Sequence, residues 1–130
     1  MKTSTILFVI LMSLTNICFA GEITQFCCDK CGFESDPLPE GCGMAGIKKT
    51  IVYCGKCKDF RSLDSAIAFK TELNNNAVLV KPAGKVKFLG KERLVYPCPE
   101  CGSKAFVYDG PLCPHCFNGK LNKKDMGLWD

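Results

Sequence analysis

Cys98-Pro99-Glu100-Cys101 and Cys113-Pro114-His115-Cys116 stand eleven residues apart, and the segment between them, 102–112, is patterned as a short hairpin. Four thiolates around one metal ion require two short turns brought face to face. A C-x-x-C turn sets its two sulfurs at the right separation, and a hairpin brings two such turns together. Pro99 and Pro114 fix φ inside their turns. Working outward, a looser copy lies upstream, where Cys28-Asp29-Lys30-Cys31 and Cys54-Gly55-Lys56-Cys57 flank the 22 residues 32–53. Grouped by nearness along the chain, Cys28, Cys31, Cys54 and Cys57 are predicted to hold one Zn2+. Cys98, Cys101, Cys113 and Cys116 are predicted to hold a second. Lys30, Lys56 and Lys58 near the first set, and Lys104 and Lys120 near the other, screen the negative charge that four thiolates leave on a divalent ion.

The chain has 130 residues and 11 cysteines. Residues 1–20 have the organisation of a signal peptide: Lys2, an apolar run over 6–12, and Cys18-Phe19-Ala20 before a cleavage point after Ala20. Ser13, Thr15 and Asn16 interrupt the apolar stretch, which falls short of the roughly 20 residues a membrane span needs. The expectation is therefore a secreted or periplasmic protein. The alternative is a protein anchored by residues 6–20, and membrane contact arises only if the leader is not cleaved. Removing the leader takes away one basic residue of 17 and none of the 13 acidic ones, which leaves a net charge of +3. That balance is too mild to argue for nucleic acid. The remaining length suits one small domain, in which metals or disulfides supplement a limited core. Apart from the eight paired cysteines, Cys27 and Cys42 remain, and they are expected to form a disulfide or stay as free thiols.

The rest of the chain is read from its pattern. Residues 21–26 lead in as an edge strand, then 34–46 reads as a loop rich in Pro and Gly. Residues 47–53 are β-branched and aromatic and read as a strand. Residues 62–73 carry Leu63, Ala66, Ile67 and Phe69 near one helical face, with Ser62 or Asp64 to cap it and Asn74 to end it. Residues 77–81 and 85–89 read as strands around Pro82-Ala83-Gly84. A further strand over 91–96 enters the second cysteine group, 105–108 is the first hairpin strand there, and 120–130 is a mixed tail.

Cys98-Pro99-Glu100-Cys101-Gly102-Ser103 with Leu112-Cys113-Pro114-His115-Cys116 resembles the zinc ribbon, the rubredoxin-like knuckle fold, over residues 94–121. Phe117 stands where ribbons carry glycine. The upstream set resembles the same fold without the prolines, and the whole chain is similar to small bacterial-type proteins with two tandem ribbons. The resemblance implies a small β-rich, metal-stabilised fold: a first unit over 21–60, a helix and β-hairpin connector over 61–93, a second ribbon over 94–121 and a tail over 122–130. It implies a structural metal and no fixed activity.

Three functional classes follow. The leading one is a zinc-binding structural or adaptor protein with a protein partner that the sequence does not name, and no catalytic residues are assigned. An exported thiol–disulfide protein is the second, because a strand entering Cys54-Gly55-Lys56-Cys57 resembles a thioredoxin turn. Nucleic-acid binding is the third and requires the leader to be something other than a signal. A plain disulfide framework competes with zinc in an oxidising compartment. His115 is expected to point outward. Phe33, Tyr53, Phe106 and Tyr108 are expected in the core rather than on a base-stacking surface, and Lys81, Lys85, Lys87 and Lys91 on a solvated face. The chain has no phosphate loop, Ser-His-acid set or H-E-x-x-H motif.

Overall fold

A computed structural model describes residues 21–43, 45–108 and 110–129, so the predicted leader and its cleavage point lie outside the described residues. The described chain is built from eight strands: β1 (Gly21–Cys28), β2 (Leu38–Cys42), β3 (Ile47–Cys54), β4 (Asp59–Ile67), β5 (Gly84–Phe88), β6 (Lys91–Pro97), β7 (Lys104–Val107) and β8 (Leu121–Trp129). They form one antiparallel sheet in the order β5-β6-β7-β3-β2-β1-β8, with β4 pairing to β3 off that path.

The sheet is organised by β3. Ile51, Val52, Tyr53 and Cys54 are all buried, so the strand is covered on both faces. Ile51 and Tyr53 join Phe26, Phe60, Tyr108 and Leu121 in one core. Val52 and Cys54 join Leu63, Tyr96, Cys98 and Ala105 in the other. One edge of β3 pairs with β4 from Ile47↔Ile67 to Cys54↔Asp59. The other edge is shared, with β2 at Lys48 and Lys49 and β7 at Val52 to Cys54. Phe26 stacks on Phe60 with centroids 4.2 Å apart, and Tyr53 meets Phe60 edge-on at 5.1 Å. Such pairs add about 0.5–1.5 kcal/mol each beyond their burial. Phe33 and Phe106 pack against the same core, as expected of interior rings.

The predicted helix over 62–73 is not formed. Its first half, 62–67, belongs to β4, and a 3-10 turn follows at Glu72–Asn74. Helical spacing of Leu63, Ala66 and Ile67 loses to a full ladder with β3, reinforced by cross-strand side chains. Lys49 Nζ reaches Asp64 at 2.6 Å, and the Thr50 and Ser65 hydroxyls meet at 2.6 Å. Asn74 is buried and donates to the Ala45 and Phe69 carbonyls, so it pins a loop rather than ending a helix.

Three other expectations change. Residues 77–81 form no strand; the hairpin is β5–β6, closed by Leu89 and Gly90, both at positive φ, as a two-residue hairpin of mirror-image type requires. The loop over 34–46 contains β2. The lead segment and the tail are not edge and coil but a pair, β1–β8, running from Gly21↔Trp129 to Cys28↔Leu121. Trp129 docks by donating its Nε1–H to the Glu40 carbonyl at 3.0 Å. A Cβ at Gly21 would come within 1.9 Å of that ring nitrogen, so glycine is needed there.

Candidate metal centres

All four C-x-x-C turns share one construction. The first cysteine of each, Cys28, Cys54, Cys98 and Cys113, is buried, and none of the second ones is. Backbone amides point at sulfur: Lys30 and Cys31 to Cys28 Sγ at 3.4 and 3.5 Å, Cys57 to Cys54 Sγ at 3.4 Å, and Gly119 to Cys116 Sγ at 3.3 Å. The residue after the second cysteine is left-handed in every case, with φ of 72° at Gly32, 54° at Lys58, 74° at Gly102 and 58° at Phe117. Phe117 and Lys58 therefore follow the glycine geometry without being glycine, at a cost of about 1–2 kcal/mol each.

The eight cysteines do come together in two sets of four, but the membership differs from the grouping by chain proximity. Cys28 and Cys31 lie with Cys113 and Cys116, and Cys54 and Cys57 lie with Cys98 and Cys101. The first turn meets the fourth, here called the outer set, and the second meets the third, the inner set. The arrangement is nested rather than tandem. Strand pairing is the physical reason. The register of β3 on β7 puts Cys54 opposite Ala105, which brings the turns ending β3 and β6 side by side. The register of β1 on β8 puts Cys28 opposite Leu121, which carries the Cys113–Cys116 turn onto the Cys28–Cys31 turn.

The sulfur geometry fits a tetrahedral ion. Across the outer set Cys28 Sγ lies 3.7 Å from Cys116 Sγ, and Cys31 Sγ lies 3.9 Å from Cys113 Sγ. Across the inner set the distances are 3.5 Å (Cys54–Cys101) and 3.9 Å (Cys57–Cys98). A tetrahedron with metal–sulfur arms of about 2.3 Å has edges of about 3.8 Å. All eight are free thiols, and within each set every sulfur lies within 4.8 Å of the others.

Each set is braced differently. In the inner one, the Arg61 guanidinium joins the two turns by pairing with Asp59 at 2.7 Å and with Glu100 at 2.5 Å. Burial lowers the Arg61 pKa, but the Asp59 hydrogen bond outweighs it and the net shift is upward. In the outer one, Lys120 N–H donates to Asp29 Oδ1 at 2.8 Å, and the Phe33 and His115 rings stack with centroids 5.2 Å apart. Gly119 presses on the site so closely that a Cβ there would stand 2.4 Å from Cys28 Sγ. Arg61, Asp29 and Gly119 were not singled out by sequence reasoning. Gly119 carried a signal in its place just beyond the fourth turn, whereas Arg61 and Asp29 carried none.

The thiols are poised unequally. Backbone and hydroxyl hydrogen bonds from Ser103 bring Cys101 down to about 6, and amides of Asn118 and Gly119 bring Cys116 down to about 6. Burial pushes Cys113 up to about 12 and also raises Cys54 and Cys31. Donation of its S–H to the Cys101 sulfur, together with burial, pushes Cys57 up to about 12. Each set thus presents a ready thiolate beside thiols that hold their protons. A divalent cation resolves that arrangement by compensating further ionisation.

His115 is exposed and stacked rather than part of either set. Lys81, Lys85, Lys87 and Lys91 are exposed. Cys42 is disulfide-bonded while Cys27 keeps a free thiol, so the two do not pair with each other. Compared with protein-family models, with curated proteins and with solved structures, the chain matches none.

Proposed function

We propose that each four-cysteine set binds one Zn2+ and that the protein is a metal-braced structural or adaptor module, related in local construction to the zinc ribbon. The observation that carries the reading is the sulfur spacing of 3.5–3.9 Å in both sets, which is that of a tetrahedral four-thiolate ion. Four protein ligands leave no position for a reactive water, so the ions serve the fold and not catalysis. The partner is a protein met outside the cytoplasm, after cleavage behind Ala20 exposes Gly21 at the head of β1.

The thiol poise at Cys54 and Cys57 argues against redox catalysis there. A reactive C-x-x-C nucleophile needs a lowered pKa and access, whereas Cys54 is buried and both are shifted upward. Native mass spectrometry of the protein taken from its own compartment tests the reading. The expected result is two zinc ions per protein molecule. A compact, metal-free protein indifferent to strong chelators contradicts it.

A further inference from the structure

β2 serves two partners. Leu38 to Glu40 pair with β1, and Gly41 and Cys42 pair with β3. Gly41 makes the crossing at φ 83°, a backbone conformation that favours glycine. On the same edge of β3, β7 pairs only from Val52 to Cys54. Thr50 and Ile51 therefore have no strand beside them on that edge, and a cavity of about 450 Å3 lies in the gap. Small-molecule sites span roughly 300–1,000 Å3. The floor is apolar, with Phe26, Ile51 and Leu121 of the first core lining it. Three lysines, Lys48, Lys49 and Lys123, and one carboxylate, Glu40, line it as well. Lys123 Nζ lies 3.0 Å from Glu40 Oε2 and 6.0 Å from the Phe26 ring centroid. Lys49 Nζ lies 2.6 Å from Asp64. Among the described residues no ion pair engages Lys48. Two of the three cations are thus neutralised and one is not. Glu22 and Glu40 share a neighbouring depression with Lys123, so negative charge is disfavoured at that end and favoured at Lys48.

We infer that this cavity binds a small organic monoanion with an apolar body, of the class of medium-chain carboxylic acids. The alkyl chain lies on Phe26, Ile51 and Leu121, and the carboxylate pairs with Lys48. The inference is independent of the metal reading, since no cysteine lines the cavity. Lys48 is exposed, and an ion pair in water adds little affinity. Burial of the chain therefore supplies most of the binding, and Lys48 sets the preference for negative charge. The protein would thus carry an amphipathic acid as well as act as a braced module.

The test uses the full protein as purified, with its metal content left in place. Octanoate, octanol and octylammonium are titrated below their micellar range. Binding is read from NMR shifts and from the fluorescence of Trp129, the one tryptophan in the chain, whose indole donates to the Glu40 carbonyl. Octanoate should bind saturably, with shifts at Phe26, Ile51 and Leu121. Going from hexanoate to octanoate should tighten binding about fourfold per methylene. Lys48→Gln, a change at an exposed side chain, should weaken octanoate about fivefold and leave octanol unchanged. Tighter binding of octylammonium than of octanoate, an equal loss of octanol in Lys48→Gln, or no saturable shift at the lining residues overturns the inference. Each of those outcomes leaves the two-zinc reading standing. Should Lys48→Gln fail to fold, the comparison of octanoate with octylammonium on the unmutated chain decides alone.

Discussion

The inner and outer sets are built from the same turn, with the same buried first sulfur and the same left-handed residue behind the second, yet they are closed in different ways. The inner set joins turns 47 positions apart through β3 and β7 at the centre of the sheet. The outer set joins turns 88 positions apart through the first and last strands. Local sequence dictates how a turn presents its sulfurs, but strand pairing dictates which turns meet. The entropic preference for near neighbours is small. Loop closure scales as the logarithm of length, so a roughly threefold longer loop costs only about 1 kcal/mol. Burial of Phe26 and Leu121 along the β1–β8 ladder outweighs that easily, since a fully buried large apolar side chain contributes about 1.5–3 kcal/mol.

The largest contrast should come from removing one ligand at each set. Cys54→Ser strikes the middle strand and the core that Cys54 shares with Val52, Leu63, Tyr96, Cys98 and Ala105. It should abolish folding, because β3 supplies residues to both cores and pairs with β4 and β7, and the change removes the ion held at its end and buries an unpaired polar group there. Cys28→Ser should leave β3, β4, β6 and β7 protected in hydrogen exchange while β1 and β8 exchange freely. Equal collapse in both variants would erase the distinction between the sets.

Acidification sharpens the same comparison. Cys101 and Cys116 sit near 6 in the fold against an ordinary thiol value of 9.0. Their folded values are lowered, so the stability they contribute is complete above the ordinary value and is lost as pH falls through about 6. Zinc release followed from pH 9 downward should therefore show both ions leaving on the acid side. Release on raising the pH would contradict the sign.

A smaller effect separates two glycines. Gly119→Ala places a Cβ against Cys28 Sγ and should cost about 1–3 kcal/mol and the outer ion. Gly55→Ala, inside an inner turn with open space around it, should leave both ions bound. Zinc stoichiometry with thermal melts distinguishes the two. Smallest of all, Lys58→Gly should raise stability by a few tenths of a kcal/mol, because relief of about 1 kcal/mol of backbone strain is offset by a freer unfolded chain. Phe117→Gly should gain less, since it also loses the contact with Phe88, whose ring centroid is 6.0 Å away.

The four turns, β3, β6 and β7 were legible in the sequence because each is written in local chemistry: paired cysteines, β-branched residues, a bounded run. The small β-rich class followed from them. The nesting was not legible, because β8 is buried only at Leu121 and exposed along most of its length, so it lacks the alternation that marks a strand. With β8 read as a tail, nothing called the fourth turn back to the first. The segment 62–67 misled in the opposite way. Its apolar residues are spaced for a helix, and only the partner strand, which a local pattern does not contain, makes it extended.

The nested assignment itself is most directly tested by replacing zinc with cadmium and recording NMR couplings from each metal to the cysteine Cβ protons. One cadmium should couple to Cys28, Cys31, Cys113 and Cys116, and the other to Cys54, Cys57, Cys98 and Cys101. A single cadmium coupled to both Cys28 and Cys54 would contradict the account.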